Sequence, residues 1–288
     1  MTPVEPVQPV APWLGGKRHL AETVIARLRA VPHVTYVEPF IGMGGIFLRR
    51  PWRSKVEVVN DISTDVANLF RCLQRHFVPL CDMLRWQVTS RDEFDRLTRA
   101  APDSLTDLER AVRFLYLQRV AFGGKVRGRS FGISVTTPAR FDVAKLVPLL
   151  EAVHERLSGV VIERLSWRDC IEAYDRPETL FYLDPPYWGS EDDYGTGLFR
   201  RADFTALADR LGAIAGSFVL SINDVTAARE IFGRFRLEEV STTYGINPSV
   251  AGEARAELLV LGGRAAEATR AFGGRAEPGQ GALDDVLG

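Results

Sequence analysis

The residues best suited to do chemistry lie in the stretch 180–188, LFYLDPPYW, where an apolar run meets Asp184-Pro185-Pro186-Tyr187. Two successive prolines cannot continue a sheet ladder, and each fixes its own φ, so the chain leaves the strand stiffly extended. Such a peptide presents fixed acceptors, the Asp184 carboxylate and backbone carbonyls, beside the aromatic face of Tyr187. This acceptor-only arrangement suits an exocyclic NH2 held while its lone pair attacks an electrophile. The plainer reading is a proline-rich loop with an exposed acid; the strand before it argues otherwise.

A second candidate is TYVEPFIGMGGIF, residues 35–47, in which a short strand ends at Glu38 and Gly42, Gly44 and Gly45 follow. Glycines directly after a strand let the backbone turn tightly and approach a bound nucleoside. The same turn can also form with no ligand. The pattern is not GxGxxG and no GxxxxGK[ST] follows, which weakens dinucleotide and nucleoside-triphosphate readings. Next comes a strand at 56–59 ending in Asn60-Asp61. An acid there, roughly 20 residues after the glycines, is placed to accept a ribose hydroxyl. Alone, Asp61 reads equally well as a helix cap or turn residue; with the glycine turn, the nucleoside reading is the better one.

These residues need a scaffold that brings strand ends together. Strand-like runs at 34–37, 56–59, 160–163, 179–183, 218–221 and 257–261 alternate with helical periodicity at 18–29, 64–75, 204–215 and 225–232. That alternation is the mark of an α/β domain. Asp203 and Asp224 are expected to cap the last two helices. Residues 77–157 break the rhythm, with helices expected at 78–87, 92–99, 105–121 and from 143 onward. This reads as an inserted, mainly helical module. Residues 1–12 are proline-rich and expected to be extended and loosely held, and most of the Gly- and Ala-rich stretch 262–288 to be disordered or weakly docked.

Composition excludes several classes. The net charge of −1 over 288 residues advertises no nucleic-acid binder, so any such surface must be local. Three cysteines without CxxC spacing suggest neither a disulfide framework nor a zinc ribbon, and fit a reducing cytoplasm. Four scattered histidines form no metal motif, so no metal is expected. No apolar stretch reaches ~18 residues, so no membrane span is expected, and the N-terminus lacks a secretory pattern.

In order along the chain, the motifs resemble those of the Dam-type (D12 class) adenine-N6 DNA methyltransferases. Trp13-Leu14-Gly15-Gly16-Lys17 is similar to the family's W-x-G-G-K, and Glu38-Pro39-Phe40-Ile41-Gly42-Met43-Gly44 to its E-P-F-x-G-x-G. Asn60-Asp61-Ile62 resembles its ribose motif and Asp184–Tyr187 its DPPY; Leu220-Ser221-Ile222-Asn223 and Ala256-Glu257-Leu258-Leu259 resemble shorter, less specific later motifs. The resemblance implies a Rossmann-like α/β methyltransferase sheet, residues 13–76 and 158–261, with a helical target-recognition insert at 77–157. It implies methyl transfer from S-adenosylmethionine to the N6 amine of a flipped adenine in double-stranded DNA, in a bacterial or phage-encoded, cytoplasmic setting.

By that resemblance Asp184, Pro185, Pro186 and Tyr187 form the catalytic peptide. Trp13, Lys17, Asp61 and Asp184 contact the cofactor, and Glu38, Phe40, Gly42, Gly44 and Ile62 belong to the same pocket. Asp169, in Ser166-Trp167-Arg168-Asp169-Cys170, would receive the cofactor's adenine amine. Residues 110–141 carry seven basic side chains and no acid. From these, Arg113, Arg119, Lys125, Arg127 and Arg129 are expected to contact DNA. A solvated basic face is the alternative. Ala121-Phe122-Gly123-Gly124-Lys125-Val126-Arg127 departs from the Asn-Gly-rich stretch of GATC-methylating members, so their target sequence is not carried over. Two rival readings are the same chemistry on RNA or a protein amide, and an inactive DNA-binding relative. Asp rather than Asn at 184, and the large insert, favour DNA; intact 184–187 and 42–44 favour activity.

Overall fold

A computed structural model of the chain describes residues 1–17, 20–132, 139–191, 193, 195, 197–240 and 256–273, with side chains to 268. Among the described residues seven strands form the main sheet: β2 (Thr35–Glu38), β4 (Val56–Asn60), β5 (Val161–Glu163), β6 (Thr179–Leu183), β7 (Ser217–Asn223), β8 (Arg236–Val240) and β9 (Glu257–Gly262). Their order is β5-β4-β2-β6-β7-β9-β8, and β9 runs antiparallel to both its neighbours while the other pairings are parallel. Every residue of β6 and β9 is buried, as expected of strands covered on both faces. Alternation decides which side each residue packs on. Tyr182 and Val219 join one apolar cluster, and Phe181, Leu183, Phe218 and Leu220 join the other.

On the first face lie α1 (Ala21–Arg29), α2 (Thr64–Arg75) and the helical group α3 (Phe77–Leu84), α4 (Arg91–Arg99), α5 (Asp107–Val120) and α6 (Val143–Arg156). In α2, Val66, Leu69, Phe70 and Leu73 recur at helical spacing and are all buried, behind a Ser63 cap. A full capping box, Thr106 with Glu109, starts α5. Because α5 packs along α2, Leu115 and Tyr116 share one core with Leu69 and Phe70. The helical group is thus built onto the sheet layer. The second face carries α7 (Trp167–Tyr174), α8 (Arg201–Gly212) and α9 (Thr226–Phe232).

Several expectations are corrected. The N-terminus is extended but docked: β1 (Thr2–Pro3) pairs with β3 (Trp52–Arg53), Val7 N donates to Leu48 O at 2.9 Å, and Val7, Val10 and Ala11 are buried. Prolines leave few amides to satisfy, so an extended strap can lay apolar side chains on the core. Residues 264–273 form α10 (Arg264–Gly273), which packs on α1, β7 and β9 with Ala265 buried; residues 274–288 lie outside the described part. Arg200, not Asp203, precedes α8, and Asp203 accepts the Arg200 amide from the third helical position at 2.8 Å. Val225 precedes α9, and Asp224 instead grips the Arg229 guanidinium at 2.6 Å. The expected helix 18–29 is described from Ala21, as Arg18 and His19 lie outside the described residues.

Candidate active site

The sheet changes direction at its centre. The chain runs from β2 out to β4 and β5, then returns across β2 to β6. A crevice at the carboxyl ends of the strands flanking such a switch point is where open α/β sheets bind ligands. Glu38, Asn60 and Leu183 end β2, β4 and β6, so their following loops meet there. Asn60 ties the loop after β2 to the loop after β5. Its Nδ2 donates to Pro39 O at 2.9 Å and Leu165 O at 3.1 Å, and its Oδ1 accepts the Leu165 amide at 2.7 Å.

The result is a cavity of about 490 Å³, within the size range of a small-molecule site. Trp13, Lys17, Glu38, Phe40, Gly42, Asp61, Ile62 and Asp184 all line it, although they come from four separated stretches of sequence. Gly42 has φ +49°, and a Cβ on it would stand 2.6 Å from the Trp13 indole nitrogen. Only glycine permits both the turn and the indole's approach. Gly44, at φ +72°, completes the turn from behind, against Leu48. Asp61 holds the turn: Oδ2 accepts from Gly42 N at 3.0 Å and Oδ1 from Ser63 N at 2.9 Å. Burial raises its pKa to about 6 despite those two donors. Each oxygen keeps a second lone pair for a ligand hydroxyl.

Glu38 is 1% exposed and accepts from Tyr36 Oη at 2.6 Å. Burial pushes its pKa up to about 8 against the pull of the Tyr36 hydrogen bond and Arg50. Asp184 sits across the cavity. Lys17 Nζ lies 2.7 Å from its Oδ1, and Ser221 Oγ donates to the same oxygen at 3.0 Å. Burial raises the Asp184 pKa while Lys17 and Ser221 draw it down. Lys17 also donates to Gly15 O at 3.1 Å and Tyr187 Oη at 2.9 Å, so the WLGGK and DPPY segments are joined through one ammonium.

Other sequence-predicted residues fall differently. Pro186 lines the cavity and Pro185 is buried behind it. Tyr187 is half-buried, with its hydroxyl held by Lys17 and Glu257 and the Lys17 ammonium 4.4 Å from its ring centroid. Asp169 is exposed on the first turn of α7, where its Oδ2 accepts from Ser166 Oγ at 2.7 Å, and does not line the cavity. Sequence reasoning gave no role to Tyr182, Ser221, Asn223, Glu257 or Phe199. Asn223 clamps Trp188, accepting its amide at 2.9 Å and donating to its carbonyl at 3.2 Å. Ser221 and Asn223 are two apart in β7, which puts them on one face, and Glu257 pairs with Asn223 because β9 is reversed. Period-two polarity within an apolar strand was the available signal.

The basic segment needs the larger correction. Arg113 is 6% exposed and donates to Leu97 O at 2.7 Å, capping the end of α4 rather than facing DNA. Arg119 donates to Val10 O at 2.6 Å and Arg140 O at 3.1 Å, fastening the N-terminal strap. Arg129 donates to Lys125 O and Gln118 Oε1, and burial lowers its pKa to about 10. Arg110 pairs with Asp65 and Asp103. An arginine has five donors, and an enclosed one spends them on carbonyls. Lys125 and Arg127 remain exposed on a loop whose Phe122 is 61% exposed and whose Val126 lines the cavity. Residues 133–138 lie outside the described part.

A profile of the D12 class N6 adenine-specific DNA methyltransferases matches residues 13–246. The chain belongs to this family. It is 26% identical over 266 residues to a type II methyltransferase of Lactococcus lactis subsp. cremoris, covering 82% of this chain and 88% of that one. It is 25% identical over 282 residues to a DNA adenine methylase of Haemophilus influenzae, covering 89% and 94%. A DNA adenine methylase of Escherichia coli (strain K12) is 25% identical over 271 residues, covering 86% and 93%. D12-class membership makes this an adenine-specific DNA methyltransferase, implies dependence on S-adenosylmethionine, and sets aside the RNA and protein-amide readings. Among the described residues no helix is long and apolar enough to cross a membrane, and no cluster of three or more His, Cys, Asp or Glu could hold a metal.

Proposed function

We propose that the strand-end cavity is the transfer site, and that an adenine turned out of the duplex presents its N6 amine to Asp184 there. The observation carrying this reading is the convergence of Asp184, Glu38 and Asp61 on one cavity that glycine and indole keep open at Gly42. The donor set fits the cofactor: a buried carboxylate (Glu38) for an ammonium, a carboxylate with spare lone pairs (Asp61) for ribose hydroxyls, and aromatic walls (Trp13, Phe40) for an adenine ring. Bound there, S-adenosylmethionine supplies an electrophilic sulfonium methyl. Asp184 and the Pro185 carbonyl accept from the N6 amine, raising its electron density and aiming its lone pair. Lys17 draws the Asp184 pKa down against the effect of burial and so favours its charged form, and Asn223 fixes the backbone after it. The nucleophile belongs to the base, so Cys170 has no covalent role and is a packing residue on the buried face of α7.

The DNA face in this reading is the loop at 121–132, narrower than the whole basic segment. Lys125 and Arg127 would meet phosphates, while Phe122 offers an apolar group for the space a turned-out base vacates. Long-read sequencing of DNA from cells expressing the chain tests the proposal. N6-methyladenine in one recurring context, absent with Asp184→Ala, is expected. Modified cytosine, or equal modification by the variant, would contradict it.

A further inference from the structure

Both protein donors to Asp184 address a single oxygen. Lys17 Nζ and Ser221 Oγ lie 2.7 and 3.0 Å from Oδ1, and among the described residues Oδ2 has no protein donor. The sheet register makes this possible. Leu183 pairs with Leu220 in the parallel β6–β7 ladder, so Ser221 comes alongside Asp184 one step beyond. Ser221 is 0% exposed, and among the described residues its hydroxyl has one further hydrogen-bond neighbour, Tyr182 Oη at 2.9 Å.

Counting protons gives this chain a direction. A serine hydroxyl carries one hydrogen. An ionised Asp184 accepts only, so Ser221 spends that hydrogen on Oδ1 and must accept from Tyr182. The relay therefore runs Tyr182 O–H to Ser221 Oγ, then Ser221 O–H to Asp184 Oδ1.

We propose that Ser221, backed by Tyr182, is a positioning residue for methyl transfer: with Lys17 it fixes Oδ1 and so turns Oδ2 alone toward the adenine amine. This rests on the reading of Asp184 as the N6 acceptor. Without Ser221, the carboxylate would be tethered at one point by a lysine and free to rotate about χ2. Terminal sp³–sp² torsions are broad, so a single tether does not hold them. Misaimed acceptors cost rate without costing cofactor affinity. Ser221 also helps hold Asp184 ionised, since a donor to the charged form lowers an acid's pKa.

The test compares Ser221→Ala, Ser221→Thr, Tyr182→Phe and Asp184→Ala with wild type in steady-state methyl transfer across pH, alongside S-adenosylhomocysteine calorimetry and melting. For Ser221→Ala we expect kcat to fall about tenfold, the rate equivalent of one hydrogen bond to a charged group. The cofactor KM and S-adenosylhomocysteine affinity should stay near wild type. The acid limb of kcat should move to higher pH, because the ionised form has lost a donor. Ser221→Thr, which keeps the hydroxyl, should keep the limb in place, and Tyr182→Phe should show a smaller loss in the same direction. If Ser221→Ala does not fold, the Tyr182→Phe limb decides. Unchanged kcat and acid limb in the folded variants would overturn the proposal. So would a loss of kcat that tracks melting temperature with the limb unmoved. Transfer by Asp184→Ala at close to the wild-type rate would instead overturn the underlying reading of Asp184.

Discussion

The strand-end cavity and the basic segment 110–141 were both marked by residue type, yet folding treated them in opposite ways. Residues from four distant stretches converge on the cavity, because the sheet delivers the ends of β2, β4 and β6 to one edge. The basic residues, neighbours in sequence, disperse. Arg113 caps α4, Arg119 fastens the N-terminal strap, Arg110 joins two aspartates, and Lys125 and Arg127 stay on the surface. Motifs survive the passage to three dimensions because each member answers a geometric demand of the same site. Charge counted along a chain carries no such demand, and long side chains with many donors are used wherever carbonyls need them.

That contrast can be tested on both sides. Lys17→Met leaves Asp184 buried without its cation, so its pKa rises further. Transfer should fall by about 100-fold or more at neutral pH and recover partly as pH increases, in a pH–rate profile. Arg113→Met should lower unfolding free energy by about 1–3 kcal/mol in urea, by orphaning the Leu97 carbonyl, without changing the salt dependence of DNA binding. Glu38 gives a smaller effect with a definite sign. With its pKa near 8 it is mostly protonated at pH 7, and binding an ammonium would require the charged form. Cofactor affinity should therefore rise about fivefold from pH 7 to 8, with proton release, and Glu38→Gln should flatten it. Calorimetry in buffers of different ionisation enthalpy reads both. Smallest is Lys125→Ala with Arg127→Ala: DNA binding should weaken on all sequences alike, and the log–log salt slope should shrink by about two. Loss confined to one preferred sequence would turn Arg127 into a base contact.

The α/β class and six of the seven main strands were legible, since period-two apolar runs and glycine turns are local in sequence; of the cavity, Gly42, Asp61 and Asp184 were read from residue type and position, and Trp13, Lys17, Glu38, Phe40 and Ile62 from the family resemblance. β8 was not, because RLEEV has no apolar alternation and takes its strand form from pairing with β9. Nor was the docked start: prolines in residues 1–12 suggest looseness, but burial of Val7, Val10 and Ala11 depends on a surface formed elsewhere. At the site, Asp184 and Lys17 were each visible. Their shared ion pair, and the Ser221 hydroxyl beside it, were not, since these arise from the β6–β7 register and across 166 residues of intervening chain.

The claim that Asp184 is the acceptor for the reacting amine is met most directly by single-turnover transfer. Wild type and Asp184→Ala are each loaded with tritiated S-adenosylmethionine and mixed with excess DNA, and N6-methyldeoxyadenosine is counted after digestion to nucleosides. The variant should still bind S-adenosylhomocysteine and DNA, yet transfer the methyl roughly 10²–10³-fold more slowly, as when one transition-state hydrogen-bonding group is deleted. Transfer by the variant at close to the wild-type rate, with the label on N6, would contradict it.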